Sequence, residues 1–330
     1  MECEVCAHRC RVREGRTGIC GIRQNRSGRL ELLAYGRAVA LNVDPIEKKP
    51  LFHFLPGSRA LSFGTLGCNF RCANCQNYDI SQMYDSKGQP EKYSELDWGR
   101  PLNPEDVITA AVANKCASIA YTYNEPTTWL EYALDTMKLA RKNGLRNVWV
   151  SNGFMTRETI ELIAPYLDAI NIDIKSYDEK FYRDNCGARL APVLESCRVF
   201  MDKKIWLEIT TLIIPNLSDS AKMLRGLAGF IREELGAEVP WHVSAFSGQI
   251  SWRLGSLPDT PVEKVRQAYT IGKGAGLNNV YAGNVPDCSL ENTLCHKCQQ
   301  VVIERIGYSI NNKLESGKCP YCRVKIAGLF

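Results

Sequence analysis

Three closely spaced cysteines constrain this chain more than any other feature. Cys68, Cys72 and Cys75 lie in a segment that reads Gly-Cys-Asn-Phe-Arg-Cys-Ala-Asn-Cys-Gln-Asn. Cysteine thiolates hold iron–sulfur clusters, and a four-iron cluster with three protein ligands leaves one iron for another ligand. A structural zinc site usually has four ligands in two close pairs, and this segment has no fourth cysteine or histidine nearby. The spacing therefore favours an iron–sulfur cluster over a zinc loop or three unrelated buried thiols.

The composition is that of an ordinary globular protein. Of its 330 residues, 45% are hydrophobic and 23% are charged, and the formal net charge is +5. Because lysines and arginines are interspersed with acidic residues, this net charge does not favour a nucleic-acid or membrane partner. No apolar run is long enough to span a bilayer, and the N-terminus lacks a basic and then apolar leader pattern. We therefore expect a cytoplasmic protein.

Two further groups of cysteines lie near the two ends of the chain. In a cytoplasmic protein such patterns more often indicate metal sites than disulfides. The N-terminal group predicts a metal-stapled knuckle, for which zinc is our first interpretation and an auxiliary iron–sulfur cluster the alternative. The C-terminal group has two C-x2-C pairs, which indicate a ribbon holding zinc or rubredoxin-like iron. The two groups are Cys3, Cys6, Cys10 and Cys20, and Cys295, Cys298, Cys319 and Cys322.

The middle of the chain alternates between apolar, β-rich runs and amphipathic helical patterns. The runs begin at Ala60 and recur up to Gly283, with helix signals such as Asn103-Pro104 between them. This rhythm predicts an α/β fold with a parallel sheet, either a partial TIM-like (β/α)6 barrel or an open doubly wound sheet. We expect three parts: an N-terminal Cys-rich module over residues 1–58, a core barrel over 59–286 and a C-terminal ribbon over 287–330.

The cysteine loop and the polar residues after each predicted strand resemble the radical S-adenosylmethionine (SAM) superfamily. The resemblance is closer to the branch containing the pyruvate formate-lyase activating enzyme and the radical SAM protein of the AmmeMemoRadiSam system. It implies a barrel fold and a [4Fe–4S] cluster on Cys68, Cys72 and Cys75 as the catalytic centre. It further implies reductive cleavage of SAM to a 5′-deoxyadenosyl radical, which abstracts hydrogen from a substrate. A protein or peptide substrate and a one-electron donor such as flavodoxin or ferredoxin are the implied partners.

The resemblance also implies which residues contact SAM. Asn124-Glu125-Pro126 takes the place of the superfamily's Gly-Gly-Glu motif, and Asp173 and Lys175 match an Asp-x-Lys signature of activating enzymes. Position 74, commonly aromatic in the superfamily, is Asn74 here. The residues predicted to bind the cofactor are Asn124, Glu125, Ser151, Asn152, Asp173, Lys175, Glu208 and His242.

Two other functions remain compatible with the cysteine pattern. One is an iron–sulfur protein for electron transfer or redox sensing, and the other is a radical SAM enzyme that acts on a small molecule. Glu125, Asp173 and Lys175 favour an enzyme over an electron carrier, because a carrier does not need a pocket for a zwitterion.

Overall fold

A computed structural model describes residues 1–82 and 98–330. The strands are β1 (Arg23–Arg26), β2 (Arg29–Leu32), β3 (Arg37–Ala38), β4 (Ala40–Pro45), β5 (Arg59–Gly64), β6 (Arg100–Pro101), β7 (Ser118–Tyr121), β8 (Arg146–Ser151), β9 (Ala169–Asp173), β10 (Trp206–Ile213), β11 (Trp241–Ala245), β12 (Val280–Gly283), β13 (Thr293–Leu294), β14 (Val301–Ile306) and β15 (Ser309–Asn312). The α-helices are α1 (Tyr78–Ser81), α2 (Pro104–Ala113), α3 (Leu130–Lys142), α4 (Arg157–Ile163), α5 (Glu179–Phe181), α6 (Ala191–Asp202), α7 (Ala221–Phe230) and α8 (Val262–Gly274). Two π-helical turns, Tyr182–Cys186 and Ile231–Leu235, follow α5 and α7.

The core is an eight-stranded sheet with the order β12-β11-β10-β9-β8-β7-β5-β4. Neighbouring strands from β5 to β12 pair in parallel, whereas β4 pairs with β5 in the antiparallel direction. Because both faces of the parallel strands are covered, nearly all of their residues are buried and the strands are rich in apolar side chains. The predicted α/β fold with strand–helix repeats is confirmed. The β4 strand lies within the expected N-terminal module but belongs to this sheet.

The helix boundaries follow the local signals in the sequence. Asn103 and Asp106 form a reciprocal capping box at the start of α2, with Pro104 as its first residue. Helix α3 ends at Lys142 with Asn143 as its C-cap, and Gly144 follows with a φ of +73°, which a glycine adopts without steric cost. No helix in the described ranges is both long and apolar enough to cross a membrane.

The segment of residues 50–55, hereafter called the plug, precedes β5 and closes the N-terminal end of the sheet. Its side chains Leu51 and Phe54 are fully buried in a small core with the first residues of the central strands, including Ala169 and Trp206. The Nδ2 atom of Asn171 donates to the carbonyl of Pro50 at 2.8 Å. The plug therefore seals the end of the strands that is opposite the cysteine loop.

The C-terminal ribbon, strands β13–β15, packs against the outside of this plug. Arg305 is almost fully buried and donates to the carbonyl of Phe52 at 2.8 Å, with its guanidinium 4.2 Å from the centre of the Phe52 ring. His53 contacts the carbonyl of Ala327 through Nδ1 at 2.7 Å and the hydroxyl of Tyr281 through Nε2 at 2.5 Å. A buried polar network thus joins the ribbon to the sheet.

Protonation of His53 should weaken this junction. Burial lowers the pKa of His53 to about 4, compared with about 6.5 in an unfolded chain. Because the folded state favours the neutral ring, this contribution is present above pH 6.5 and is lost as the pH falls towards 4. We expect this loss to reach about 3 kcal/mol of unfolding free energy at pH 4. Chemical denaturation across this range should show a weaker pH dependence for His53→Gln, and an unchanged slope would contradict the assignment.

Candidate functional site: the cysteine loop and the ends of the strands

The cysteine loop, residues 67–77, follows β5 at the C-terminal end of the parallel strands. Cys72 is buried, and Cys68 and Cys75 are half-buried. Gly67 begins the loop with a φ of +86°, and a Cβ atom there would lie 2.6 Å from the carbonyl oxygen of Cys20. Any other side chain at Gly67 would therefore push the loop away from the N-terminal segment.

Backbone hydrogen bonds hold the loop on two sides. The N–H groups of Arg71 and Ala73 donate to the carbonyls of Cys186 and Asn185 at 2.8 and 2.9 Å. From the other side, the N–H of Trp252 donates to the carbonyl of Cys75 at 3.0 Å. Bonds on both flanks of Cys72 fix the direction of its side chain, which is what a preorganised ligand requires.

Glu125 joins the ends of β7 and β8 beneath the loop. Its carboxylate accepts hydrogen bonds from the N–H and hydroxyl of Thr127 at 3.0 and 2.6 Å, from Ser151 Oγ at 2.8 Å and from the N–H of Asn152 at 2.7 Å. The residue is 1% exposed. Burial raises the pKa of Glu125, while these hydrogen bonds oppose the rise. With four donors already bound, the Glu125 side chain acts first as a positioning group.

The two asparagines predicted to bind the cofactor form hydrogen bonds with the cysteine loop. Asn124 Nδ2 donates to the carbonyl of Gly67 at 2.7 Å, and its Oδ1 accepts from Trp129 Nε1 at 3.1 Å. Asn152 Nδ2 donates to Oδ1 of Asn69 at 2.7 Å. Asn69 is fully buried within the loop and is a site residue that the sequence reasoning missed. Its position directly after the first loop cysteine, Cys68, is the sequence signal that could have identified it.

Asp173 and Lys175 lie together at the end of β9, beside the cysteine loop. They form an ion pair, and the charges of both groups reach the thiol of Cys72. Burial lowers the pKa of Lys175, but the charge and hydrogen bond of Asp173 together with the neighbouring thiols Cys72 and Cys186 outweigh it and raise that pKa well above its ordinary value. The Oδ1 atom of Asp173 is buried without a hydrogen-bond partner in the part of the chain that the structure describes. An orphaned carboxylate oxygen beside a retained ammonium suits a zwitterionic ligand.

Cys186 is a fourth thiol beside the loop. It ends the π-helical turn Tyr182–Cys186, is fully buried and interacts with the thiol of Cys72. The sequence left its role open, because it is distant from the loop cysteines along the chain. Asn185, its neighbour, donates through Nδ2 to Oδ1 of Asn74 at 2.8 Å, so position 74 makes a polar contact within the site.

The structure corrects the prediction for Glu208 and His242. Glu208 is fully buried and accepts hydrogen bonds from the N–H groups of Phe52 and His53 at 3.0 and 2.8 Å and from Trp206 Nε1 at 3.0 Å. His242 Nε2 lies 2.7 Å from the same carboxylate. Both residues thus belong to the network that fastens the plug. Polar residues within the strands were mistaken for residues at their C-terminal ends, since sequence runs do not show where a strand meets the mouth.

The two terminal cysteine groups differ in geometry. In the C-terminal group, the four sulfur atoms lie within 4.8 Å of one another, which suits one metal ion. The sulfur atoms of Cys295 and Cys322 are 3.5 Å apart, and those of Cys298 and Cys319 are 3.6 Å apart. Among the described residues, no three sulfur atoms of the N-terminal group, or of the cysteine loop, converge this closely. The N-terminal group therefore does not have the single-zinc geometry that we expected.

Comparison with known proteins identifies the family. Residues 63–226 match the model of the radical SAM superfamily. The chain belongs to this superfamily. A 40% identical relative, the protein MJ0808 of Methanocaldococcus jannaschii, aligns with 99% of this chain and 95% of its own length.

More distant relatives define the branch and the fold. The pyruvate formate-lyase 1-activating enzyme of Escherichia coli K12 is 22% identical over 57% of this chain and 75% of its own length. Streptococcus suis SuiB, bound to its precursor peptide SuiA, has a similar fold with a TM-score of 0.52 and 14% identity, over 74% of this chain and 52% of that chain. Within the superfamily, this chain resembles the activating-enzyme branch. Its likeness to the AmmeMemoRadiSam system stays a prediction.

The positioning role of Glu125 can be tested by an isosteric change. In Glu125→Gln, the amide nitrogen would face hydrogen-bond donors, and we expect a loss of about 2 kcal/mol in unfolding free energy together with lower iron content after reconstitution. Chemical denaturation and iron analysis measure both effects. Glu161→Gln, at an exposed position on α4, is the matched control and should change little. Equal behaviour of the two variants would rule out the proposed network.

Proposed function

We propose that this enzyme cleaves SAM reductively at a [4Fe–4S] cluster and abstracts hydrogen from a protein or peptide substrate. The observation that carries the proposal is the loop of three thiols, with the pair Asp173 and Lys175 beside it. Three thiol ligands fit a cluster with an open iron, and the orphaned Oδ1 atom of Asp173 fits a cationic or hydroxyl donor from SAM. When bound, the cluster and SAM supply methionine and a 5′-deoxyadenosyl radical.

The chain's own residues bind, orient and shield these groups. Cys68, Cys72 and Cys75 would hold the cluster, and Lys175 would pair with the SAM carboxylate while Asp173 accepts from its ammonium or ribose. Glu125, Ser151 and Asn152 keep the strand ends and the loop in register. Because Glu125 has little acceptor capacity left, the backbone around it would provide any further contact to SAM.

The proposed substrate class comes from the relatives. The activating-enzyme relatives act on a protein, pyruvate formate-lyase, by their names. A small-molecule substrate is the alternative. A one-electron donor such as flavodoxin or ferredoxin would supply the electron for SAM cleavage.

The terminal modules complete the proposal. We assign zinc to the C-terminal group of four cysteines, because a closed, compact thiolate set suits a structural ion. We also propose functional boundaries near residues 58 and 286. The ribbon packs on the plug through Arg305, so its role is to brace the barrel from the end opposite the cysteine loop.

SAM cleavage is tested with anaerobically reconstituted protein reduced with dithionite. We expect 5′-deoxyadenosine and methionine from the wild type and none from Cys72→Ala, because one cluster ligand is missing. The matched control is Cys116→Ala, which removes another buried thiol outside the loop and should preserve the products. Chromatography measures both. Product formation by Cys72→Ala would refute the assigned cluster site.

The same assay separates the two substrate classes. A perdeuterated cell extract is divided by size and added to the reaction, and the 5′-deoxyadenosine is analysed for deuterium by mass spectrometry. Hydrogen abstraction transfers deuterium from the substrate to this product. We expect deuterium with the macromolecular fraction. Deuterium found with the small-molecule fraction alone would overturn the protein or peptide assignment.

A further inference from the structure

The N-terminal cysteines form a buried group that the proposed reaction does not use. Cys3, Cys6 and Cys20 are buried, Cys10 is half-buried, and all four are free thiols. The N–H of Cys3 donates to the carbonyl of Cys10 at 2.9 Å, which folds the segment back on itself. The other three thiols lie near enough to that of Cys6 to interact with it electrostatically. Four free thiols in one place, three of them buried, require an explanation.

The spacing of the sulfur atoms distinguishes two kinds of metal centre. A single ion draws its ligands to one point, whereas a four-iron cluster binds each thiolate at a separate iron. The C-terminal group has the compact arrangement within 4.8 Å. Among the described residues, neither the N-terminal group nor the cysteine loop, for which the family implies a cluster, has three sulfur atoms within this distance of one another. The wider spacing favours a cluster over zinc.

A buried arginine supplies an independent observation. Arg23 is 4% exposed, and its charge acts on Cys3 and Cys20. Its terminal nitrogens bind Glu131, with NH1 2.6 Å from Oε2. Its Nε is buried and has no hydrogen-bond partner among residues 1–82 and 98–330. An unpartnered cationic donor next to thiols fits an anionic centre, such as an iron–sulfur cluster with four thiolate ligands.

The N-terminal group also touches the cysteine loop directly. His8 Nε2 lies 2.8 Å from the carbonyl oxygen of Asn69, and the guanidinium of Arg71 donates to the carbonyl of Ile19. The close approach of Gly67 to the carbonyl of Cys20 brings the two backbones together. A centre on the N-terminal cysteines would thus be next to the catalytic cluster.

We propose that Cys3, Cys6, Cys10 and Cys20 hold a second [4Fe–4S] cluster, which relays one electron to the cluster on the cysteine loop. A low-potential one-electron reductant reduces the N-terminal cluster, which is reoxidised as the electron passes on. No bond forms or breaks at this site, and no proton moves. The relay rests on the proposed function, whereas occupancy by a cluster does not.

Metal content tests the occupancy. Full-length protein is reconstituted anaerobically, and iron, sulfide and zinc are counted per chain. We expect about eight irons in the wild type and about half of that in both Cys6→Ser/Cys20→Ser and Cys72→Ala/Cys75→Ala. Cys288→Ser, at an exposed free cysteine, is the matched control and should keep the full count. An unchanged iron count in Cys6→Ser/Cys20→Ser, or a second zinc per wild-type chain, would overturn the proposal.

Two further readouts keep the inference testable if that double variant folds poorly. In Arg23→Gln, the loss of a buried positive charge should lower the reduction potential of one of two titrating clusters. Freeze-quench electron paramagnetic resonance should also show slower reduction of the loop cluster by reduced flavodoxin in Cys10→Ser. An unshifted reduction potential in Arg23→Gln, together with an unchanged rate of loop-cluster reduction in Cys10→Ser, would contradict the relay.

The outcomes separate this inference from the proposed function. A wild-type protein with about eight irons that makes no 5′-deoxyadenosine would refute the function and leave the second cluster standing. A protein that makes 5′-deoxyadenosine with about four irons, all lost from the cysteine loop variant, would refute the second cluster alone.

Discussion

The hydrogen bonds around the cysteine loop are the constraint on which the rest of the structure depends. Three thiols can share a cluster only if the backbone between them is held still, and bonds from residues on either side of Cys72 provide this. Glu125 carries the same constraint into the barrel, because its carboxylate ties Thr127, Ser151 and Asn152 into one buried network. The cysteine ligands of the loop are therefore positioned by groups that do not themselves bind the metal.

The two ends of the parallel strands have different tasks. At the C-terminal end, Oδ1 of Asp173 has no hydrogen-bond partner among the described residues and lies beside Lys175, as expected of a site prepared for a ligand. At the other end, Glu208 accepts hydrogen bonds from two backbone amides and an indole, and His242 contacts it as well. The Glu208 carboxylate is thus paired where the fold is fastened, whereas an oxygen of Asp173 is left open where function is proposed.

Local signals in the sequence predicted much of the fold. The capping residues at Asn103, the glycine after α3 and the apolar strand runs all reflect short-range physics. The site was harder to predict, because its roles depend on partners distant in the chain. Asn69 gains its role from Asn152, and Cys186 from Cys72. Glu208 resembled a strand-end ligand until its partners in the plug were known.

The metal sites of the two terminal modules also could not be fully predicted from the sequence. Cysteine spacing predicted metal binding at both ends, but it could not separate a compact set of sulfurs from a wider one. That difference appears only when the chain folds, since it depends on the Cys295–Cys322 approach at one end and on the turn between Cys3 and Cys10 at the other. The orphaned Nε of Arg23 could not be foreseen either.

The most direct test of the central claim is whether SAM binds the open iron of the loop cluster. Electron paramagnetic resonance spectra of the reduced protein are recorded with and without SAM, in a Cys6→Ser/Cys20→Ser background that isolates the loop cluster. We expect SAM to shift the g-values of this signal. We also expect SAM labelled with ¹⁷O at its carboxylate to give a hyperfine coupling between the label and the cluster. An identical spectrum with and without SAM, with no coupling, would contradict the central claim.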